Sequence, residues 1–489
     1  MRVQGAPLRR GLATILAAGM TGGVFGGGIG AQAAEWTVAP RIEGTQTFTD
    51  NAESDDEDRD ADAITTITGG VSVRGTGARL NLNLDYDLSF DQFWRTGGQT
   101  GYRQEGLGDL TAELVEDFFF FDARGQISQE DVLASGATTA TRRSTGDNQT
   151  VVINTLVSPY FRNRFGGFAE SELRYELDTV LFRDADRGNA GGLTPGDETT
   201  HEVSVQLNSG TDFTVLGWSL SGTALRTDDD FDRDTGQGSL SYRVNRFIQL
   251  LGTGGYEEIN DDDIQDDRDG PFWTGGVRLT PGPRTELRVE YGQRFDDNIW
   301  SGDFTYRFSS RTILSASYGE DIVTAQQVLS DRLGRFIRDD QGNLVDPATG
   351  LPPDPNDPFL DLTDDAFRQR QLTVALSGSR GRNTFNLSGF YTERKFDVDT
   401  TDDDETIGGA LRLSRQVRPN ATAGLEGSYS DVNGDDDDDS QTIRATAFLD
   451  YTLTESLTGT VSYNFLRRAR DNDGNITENA VLVSLRKDF

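Results

Sequence analysis

The 489-residue chain has no cysteine, two methionines and a single histidine, His201. Without thiols there are no disulfides, thiolate-zinc centres or cysteine nucleophiles, and a cysteine-free chain suits passage through an oxidising compartment in the unfolded state. Long apolar runs are missing too. Beyond the N-terminus no stretch approaches the roughly 18 consecutive apolar residues of a membrane-spanning helix, which excludes an inner-membrane helical protein. Basic residues are few, 46 Lys and Arg against 81 Asp and Glu, for a formal net charge of −35. Phosphate backbones are neutralised by lysine and arginine, so nucleic acid is excluded as a partner. With 35% hydrophobic and 26% charged residues, composition alone also fits an acidic, partly disordered chain. Patterning decides between these readings.

The first residues read as an export signal. Arg2, Arg9 and Arg10 form a positive region, a small and apolar run follows from Gly11 to Gly30, and AQAA offers small residues for cleavage after Ala33 or Ala34. Residues 1–34 are therefore expected to be a cleaved signal peptide, leaving about 455 residues, enough for several soluble domains or one large barrel. Strand-like sequence begins by Trp36, so the expectation is that no room remains for the N-terminal plug domain of TonB-dependent transport.

From Leu80 to Phe90 the sequence LNLNLDYDLSF alternates strictly, with leucines, Tyr86 and Phe90 on one face and Asn, Asp and Ser on the other. Successive side chains of a strand point to opposite faces, so this is a ribbon with one apolar and one wet side. The pattern returns at Leu173, Tyr175 and Leu177 against Glu172, Arg174 and Glu176, and at Leu287, Val289 and Tyr291 against Glu286, Arg288 and Glu290. It returns again from Ile443 to Leu453. Charges on the second face are too costly for the dry core of a sandwich and suit a water-filled lumen.

The links between these ribbons fall into two classes that take turns. Acidic links include DDDFDRD (228–234), DDDIQDD (261–267), TTDDDE (400–405), NGDDDDDS (433–440) and DNDGN (471–475). Short, mostly basic ones include RNRF (162–165), TPGPR (280–284), SRGRN (379–383), RQVRPN (415–420) and TES (454–456). Outer-membrane barrels have short periplasmic turns and longer outer loops, so the aspartates are expected outside. The fold class is then all-β, a transmembrane antiparallel up-and-down barrel over residues 35–489, of about 22 strands within a range of 18 to 24. Expected strand starts include Glu35, Ala78, Asp109, Phe118, Gln149, Gln237, Phe367, Asn383, Ala421, Ser440 and Ile476, and the pattern is weakest between Ser89 and Ser128. A long insertion from Val323 to Ala366, containing RLGRFIR and LPPDPNDPF, is too long for an ordinary connection and is expected to narrow the lumen or lie over its mouth.

The last stretch, AVLVSLRKDF, places Val481, Val483, Leu485 and Phe489 on one face, broken by Lys487. It resembles the terminal signal that outer-membrane proteins present to the barrel-assembly machinery, with Phe489 as its aromatic end. TAELVEDFFFFDARGQIS (111–128), LVSPYFRNRFGGFAESELRY (156–175) and SYNFLRRARDNDGNITENAVLVSLRKDF (462–489) resemble the outer-membrane β-barrel porin family found beside exopolysaccharide and PEP-CTERM export systems. The resemblance implies a Gram-negative outer-membrane barrel in contact with lipid and lipopolysaccharide, with exopolysaccharide as a further candidate partner. It carries over no catalytic residues.

Chemistry-bearing motifs are sparse. His201 sits beside Glu202 at the foot of an acidic loop, and no Gly-x-Ser-x-Gly element presents a nucleophile, so a hydrolase is the distant alternative. The aspartate blocks lack the spaced ligands of an EF-hand and read as solvated, self-repelling loops. Neither a cofactor, a metal nor catalysis is expected. The leading reading is a passive pore lined by Arg174, Arg288, Arg294, Arg394, Arg412, Arg444, Glu172, Glu286 and Glu290. Its rival is a structural or secretion-accessory barrel for exopolysaccharide export or anchoring.

Overall fold

A computed structural model describes residues 35–56, 59–96, 100–132, 138–141, 148–183, 196–228, 231–260, 268–295, 297–335, 337–338, 344–345, 366–396, 403–434, 439–470 and 474–489. The expected signal peptide (1–34) lies outside the described residues, as do the acidic segments 261–267 and 435–438.

In chain order the strands are β1 (Glu35–Thr49), β2 (Asp62–Thr76), β3 (Leu80–Phe93), β4 (Gly101–Val115), β5 (Phe119–Asp131), β6 (Gln149–Phe165), β7 (Ala169–Arg183) and β8 (Glu198–Ser209). There follow β9 (Leu216–Thr227), β10 (Asp232–Arg243), β11 (Ile248–Asn260), β12 (Arg268–Gly282), β13 (Thr285–Arg294), β14 (Asp297–Ser309) and β15 (Thr312–Val323). A helix, α1 (Ala325–Arg335), and a two-residue bridge of β16 (Ile337–Arg338) with β17 (Leu344–Val345) lie in the insertion. The series resumes with β18 (Phe367–Arg380), β19 (Asn383–Phe396), β20 (Asp404–Arg418), β21 (Ala421–Gly434), β22 (Ser440–Thr454), β23 (Leu457–Arg470) and β24 (Ile476–Asp488).

Each barrel strand pairs antiparallel with its neighbour in sequence, and β1 closes on β24 with Thr45 opposite Ser484, giving one closed 22-stranded sheet. Closure leaves no strand edge, so every ladder hydrogen bond is made within the sheet, as lipid demands. The strands run from 10 residues in β13 to 17 in β6. A tilted span needs only about 9–11 residues, so most strands project beyond the hydrocarbon.

One face of the sheet is apolar and exposed, carrying Leu250, Trp273, Leu411, Val461, Val483 and Leu485 among others. Aromatic residues gather near both ends of that face, Trp94, Tyr102 and Trp300 toward the long loops and Trp36, Phe168 and Phe308 toward the short turns. An apolar band between two aromatic girdles is the outer surface of a transmembrane barrel. The short turns are tight: Gly166 and Gly381 take φ of 59° and 65°, a left-handed backbone that a side chain would strain.

The strand starts expected at Gln149, Phe367, Asn383, Ala421, Ser440 and Ile476 are observed at those residues. Two expectations need correction. β4 begins at Gly101 and not at Asp109, because its outward positions Gln104, Gly106 and Gly108 lack the apolar residues that mark a lipid-facing strand. β10 begins at Asp232 within the supposed acidic link, where Arg226 of β9 bridges Asp232 at 3.4 Å and Asp234 at 2.6 Å.

The buried apolar residues lie mainly on the inner side at the long-loop end. One cluster joins Val152, Val180 and Phe182 of β6 and β7 to Val323, Phe367 and the α1 residues Ala325, Val328 and Leu329. A second joins Phe231, Ile259, Ile322 and Ala366.

Candidate functional site

Register assigns the inward face. Arg174 stands opposite Tyr160 and Ser204, Glu290 opposite Gly276 and Ser301, and Arg394 opposite Gln369 and Asp404. All nine charged residues expected on the lumen side occupy positions on this face, away from the lipid-facing apolar band. What the sequence leaves open is their pairing.

Arg174 donates to Glu172 at 3.0 Å and to Ser158 at 2.7 Å, and its guanidinium lies 3.8 Å from the Tyr160 ring centroid. Glu172 also accepts from Arg162 at 2.8 Å. Arg278 and Arg288 face each other directly across β12 and β13, like charges that would repel. Glu286 relieves the first at 2.6 Å and Glu290 pairs with the second, while Thr274 donates to Glu290 at 2.9 Å. Arg394 is almost wholly buried against Asp404, and Arg412 meets Glu426 at 3.1 Å. Arg444 donates to Thr138 at 3.1 Å, a residue of the link between β5 and β6. The lumen charges therefore form ladders of pairs, and their field is that of alternating signs at close range.

Near the long-loop end the pairs tighten. Glu257 on β11 receives Arg233 at 2.7 Å and Arg294 at 2.5 and 2.8 Å, and both arginines reach Asp321 on β15 at 3.2 Å. Arg294 is the one member that the alternation pattern singled out. Arg233, Glu257 and Asp321 lie in stretches rich in like charge, where sequence alone does not reveal a partner.

Above this network the insertion enters the barrel. Thr324 starts α1 as an N-cap, its hydroxyl accepting from the backbone of Gln327 at 3.2 Å. Ala325, Val328 and Leu329 recur at three- and four-residue spacing, so one face of the helix is apolar and packs on the inward residues Val152, Val180 and Phe182. Ser330 donates to Asp178, and Thr324 to Glu198 at 3.1 Å. The helix thus leaves β15 and docks on β6 and β7, far round the barrel wall, crossing the mouth as it goes. Beside it, Glu176, Asp178, Glu198, Glu202 and Asp331 line an open cleft. Of the two placements expected for the insertion, its first turns take the inward one; residues 346–365 are outside those described.

A second segment folds inward from the link between β5 and β6. Ser54 donates to the Thr138 carbonyl at 3.0 Å, and the Ala140 amide donates to Glu478 of β24 at 2.6 Å. Thr49 donates to the other oxygen of Glu478 at 2.8 Å. Its polar residues carry no signal in the sequence that separates an inward link from an outward one.

His201 lies on the outer face of β8, its Nδ1 2.7 Å from the Tyr175 hydroxyl and its ring stacked on that tyrosine. Glu202 points to the opposite face, so the two are not neighbours in any site. Among the described residues no group of three or more His, Cys, Asp or Glu is arranged to hold a metal ion. Phe489 is exposed beside β1, its amide donating to the Pro40 carbonyl at 3.0 Å, with Lys487 5.7 Å from its ring.

No family model matches the chain, and no curated protein matches it. Among solved structures, a mutant ferric enterobactin receptor from Pseudomonas aeruginosa is similar over 94% of this chain and 81% of its own, at 8% identity and a TM-score of 0.48. The siderophore receptor PirA from Acinetobacter baumannii is similar over 92% and 80%, at 8% identity and a TM-score of 0.48. The FrpB iron transporter from Neisseria meningitidis is similar over 92% and 81%, at 10% identity and a TM-score of 0.49. The ligands named there belong to those proteins.

Proposed function

We propose that the chain is a channel of the Gram-negative outer membrane through which polar solutes diffuse passively, narrowed at the long-loop end by its own insertion. The observation that carries this reading is α1, an inward helix seated on Val152, Val180 and Phe182 at the long-loop end of a barrel whose inner face below it carries charged and polar side chains. A sheet of 22 strands encloses a lumen too wide for its wall side chains to fill. Selectivity would then be set where α1 meets the wall, and the carboxylates of its cleft favour cations there. The paired arginines and glutamates below give a wetted path without a single dominant sign. Nothing in this mechanism requires catalysis or a cofactor.

Orientation follows loop length: the short turns, the start of β1 and the end of β24 in the periplasm, the acidic loops outside. The partners on this reading are lipid and lipopolysaccharide around the apolar band, and the barrel-assembly machinery acting on the terminal strand that includes Val483, Leu485 and Phe489. Export through residues 1–34 completes it, as does membership of the porin family beside exopolysaccharide and PEP-CTERM systems. Asp436→Cys should react with an impermeant maleimide on intact cells and Arg418→Cys should not; the reverse labelling would invert the orientation.

Conduction is tested on purified protein in planar bilayers. Wild type should conduct with a preference for cations, read from the reversal potential in a salt gradient. Well-folded wild type and insertion-deleted protein that both fail to conduct would sink the channel. The packed mouth favours the second reading in that case, a structural or secretion-accessory barrel serving exopolysaccharide.

A further inference from the structure

The arginines of the short-turn end are unevenly spread round the rim. The turn after β10 carries Arg243 and Arg246, and the turn after β12 carries Arg284. The next three turns carry Arg307 and Arg311, then Arg380 and Arg382, then Arg415 and Arg418. These turns are consecutive round the barrel because the strands β10 to β21 pair in sequence order. The segments 241–250, 280–285, 305–314, 377–386 and 413–423 contain no aspartate or glutamate. All of the named arginines are exposed. Among the described residues the ion pair nearest this arc is that of Arg278 with Glu286, further up the wall.

The other half of the rim differs in kind. Its turns carry Glu116, Asp117, Asp212 and Glu455. Four of its arginines are matched to carboxylates: Arg79 to Glu116 at 2.5 Å, Arg162 to Glu172 at 2.8 Å, Arg164 to Glu170 at 2.7 Å and Arg486 to Asp488 at 2.8 Å. Among the described residues, the exposed arginines that sit in those five turns free of carboxylates therefore lie side by side in one crescent.

We infer that this crescent is a docking surface for a linear, carboxylate-bearing glycan on the periplasmic side. Exposed like charges crowded on one edge repel one another, and a multivalent anion relieves that repulsion while releasing its own counterions. Lipid headgroups surround a barrel on all sides and would favour basic residues round the whole rim, not on half of it. The crescent is one hairpin deep and, at ~4.8 Å per strand over the strands β10 to β21, roughly 50 Å long. That shape suits an extended chain of repeated anions; a globular partner needs breadth and an apolar centre. The inference does not rest on conduction, since a barrel that conducts and binds no glycan would lose this surface alone.

The test uses full-length protein in nanodiscs of phosphatidylcholine, with polygalacturonate as the probe and dextran as its neutral counterpart. Wild type should bind polygalacturonate and not dextran, with an affinity that falls steeply as salt rises. Arg307→Gln, Arg311→Gln, Arg380→Gln and Arg382→Gln together should weaken binding at least tenfold and flatten the salt dependence. Arg162→Gln with Arg164→Gln, on the paired half, should change it less than twofold. Heat-modifiable migration verifies folding of each variant, and the smaller Arg380→Gln, Arg382→Gln pair should still weaken binding about threefold if the larger set folds poorly. Absence of wild-type binding, or equal loss from both halves, overturns the inference. So does a crescent variant that keeps polygalacturonate and loses only phosphatidylglycerol, which reassigns the surface to lipid. Binding of polyglutamate through the same arginines without binding of polygalacturonate reassigns it to an acidic protein segment.

Discussion

At the long-loop end the inward face of the barrel is packed against α1 and the 138–141 segment, with Ile259, Phe367, Leu466 and Ile476 buried there. At the short-turn end the same strands, in the same alternation, hold polar and charged side chains open to solvent. Glu257 and Glu172 make the difference concrete. Each accepts two arginines, yet the Glu257 side chain is 2% exposed and that of Glu172 23%. Alternation decides which way a side chain points; it does not decide whether water or another segment meets it.

The contrast can be broken most severely by removing what fills the mouth. β15 and β18 are adjacent, with Val323 opposite Phe367, so residues 325–365 can be replaced by a short Gly-Ser link without disturbing a ladder bond. The expected outcome is a heat-modifiable barrel whose unit conductance in planar bilayers rises severalfold. Unchanged conductance would place the narrowest point elsewhere, with the 138–141 segment next to be tested.

Glu257→Gln leaves Arg233 and Arg294 short of a buried partner, a loss of about 3 kcal/mol for a broken buried pair. Glu172→Gln makes the same chemical change in the open half, where the solvated pair contributes about 0.5–1 kcal/mol. Melting followed by tryptophan fluorescence should show a clear drop for the first and a small one for the second. Equal drops would mean that the two ends are equally dry.

Leu329→Ala should weaken the seat of α1 by about 2–3 kcal/mol, the usual cost of truncating a buried leucine. Because that seat lies outside the strand ladder, the barrel's melting should stay unchanged while trypsin cleavage at Arg335 becomes faster. Loss of barrel stability instead would show that the helix supports the wall. The smallest effect is expected from replacing Asp435 to Asp439 with asparagine, within about 0.5 kcal/mol, since like charges in a solvated loop contribute little. A calcium-dependent shift in melting that this change abolishes would identify a specific metal site there.

The sequence reveals the wall well because lipid and water impose opposite demands on successive residues. β18, β19 and β21 begin at Phe367, Asn383 and Ala421, and exposed apolar residues such as Leu372, Val374, Leu387 and Leu425 then alternate along them. β4 escapes that reading over its first residues because glycines stand where apolar side chains would mark the lipid face. The inward side of Arg288, Arg394 and Arg444 is legible for the same reason, whereas their partners are not. Whether Arg278 opposes Arg288, or Arg394 reaches Asp404, depends on register between strands, which turn length fixes only to within a residue or two.

By itself, the sequence determined a closed, cysteine-free antiparallel barrel with an apolar outer face, a polar inner face and alternating short and acidic links, because each of those rests on local period and composition. The inward turn of α1, the closing of Arg233, Glu257, Arg294 and Asp321 on one another, and the gathering of exposed arginines from five carboxylate-free turns into one crescent of the rim came from the tertiary structure alone. Those features join residues far apart in the chain, and only closure of the 22-stranded sheet brings them together.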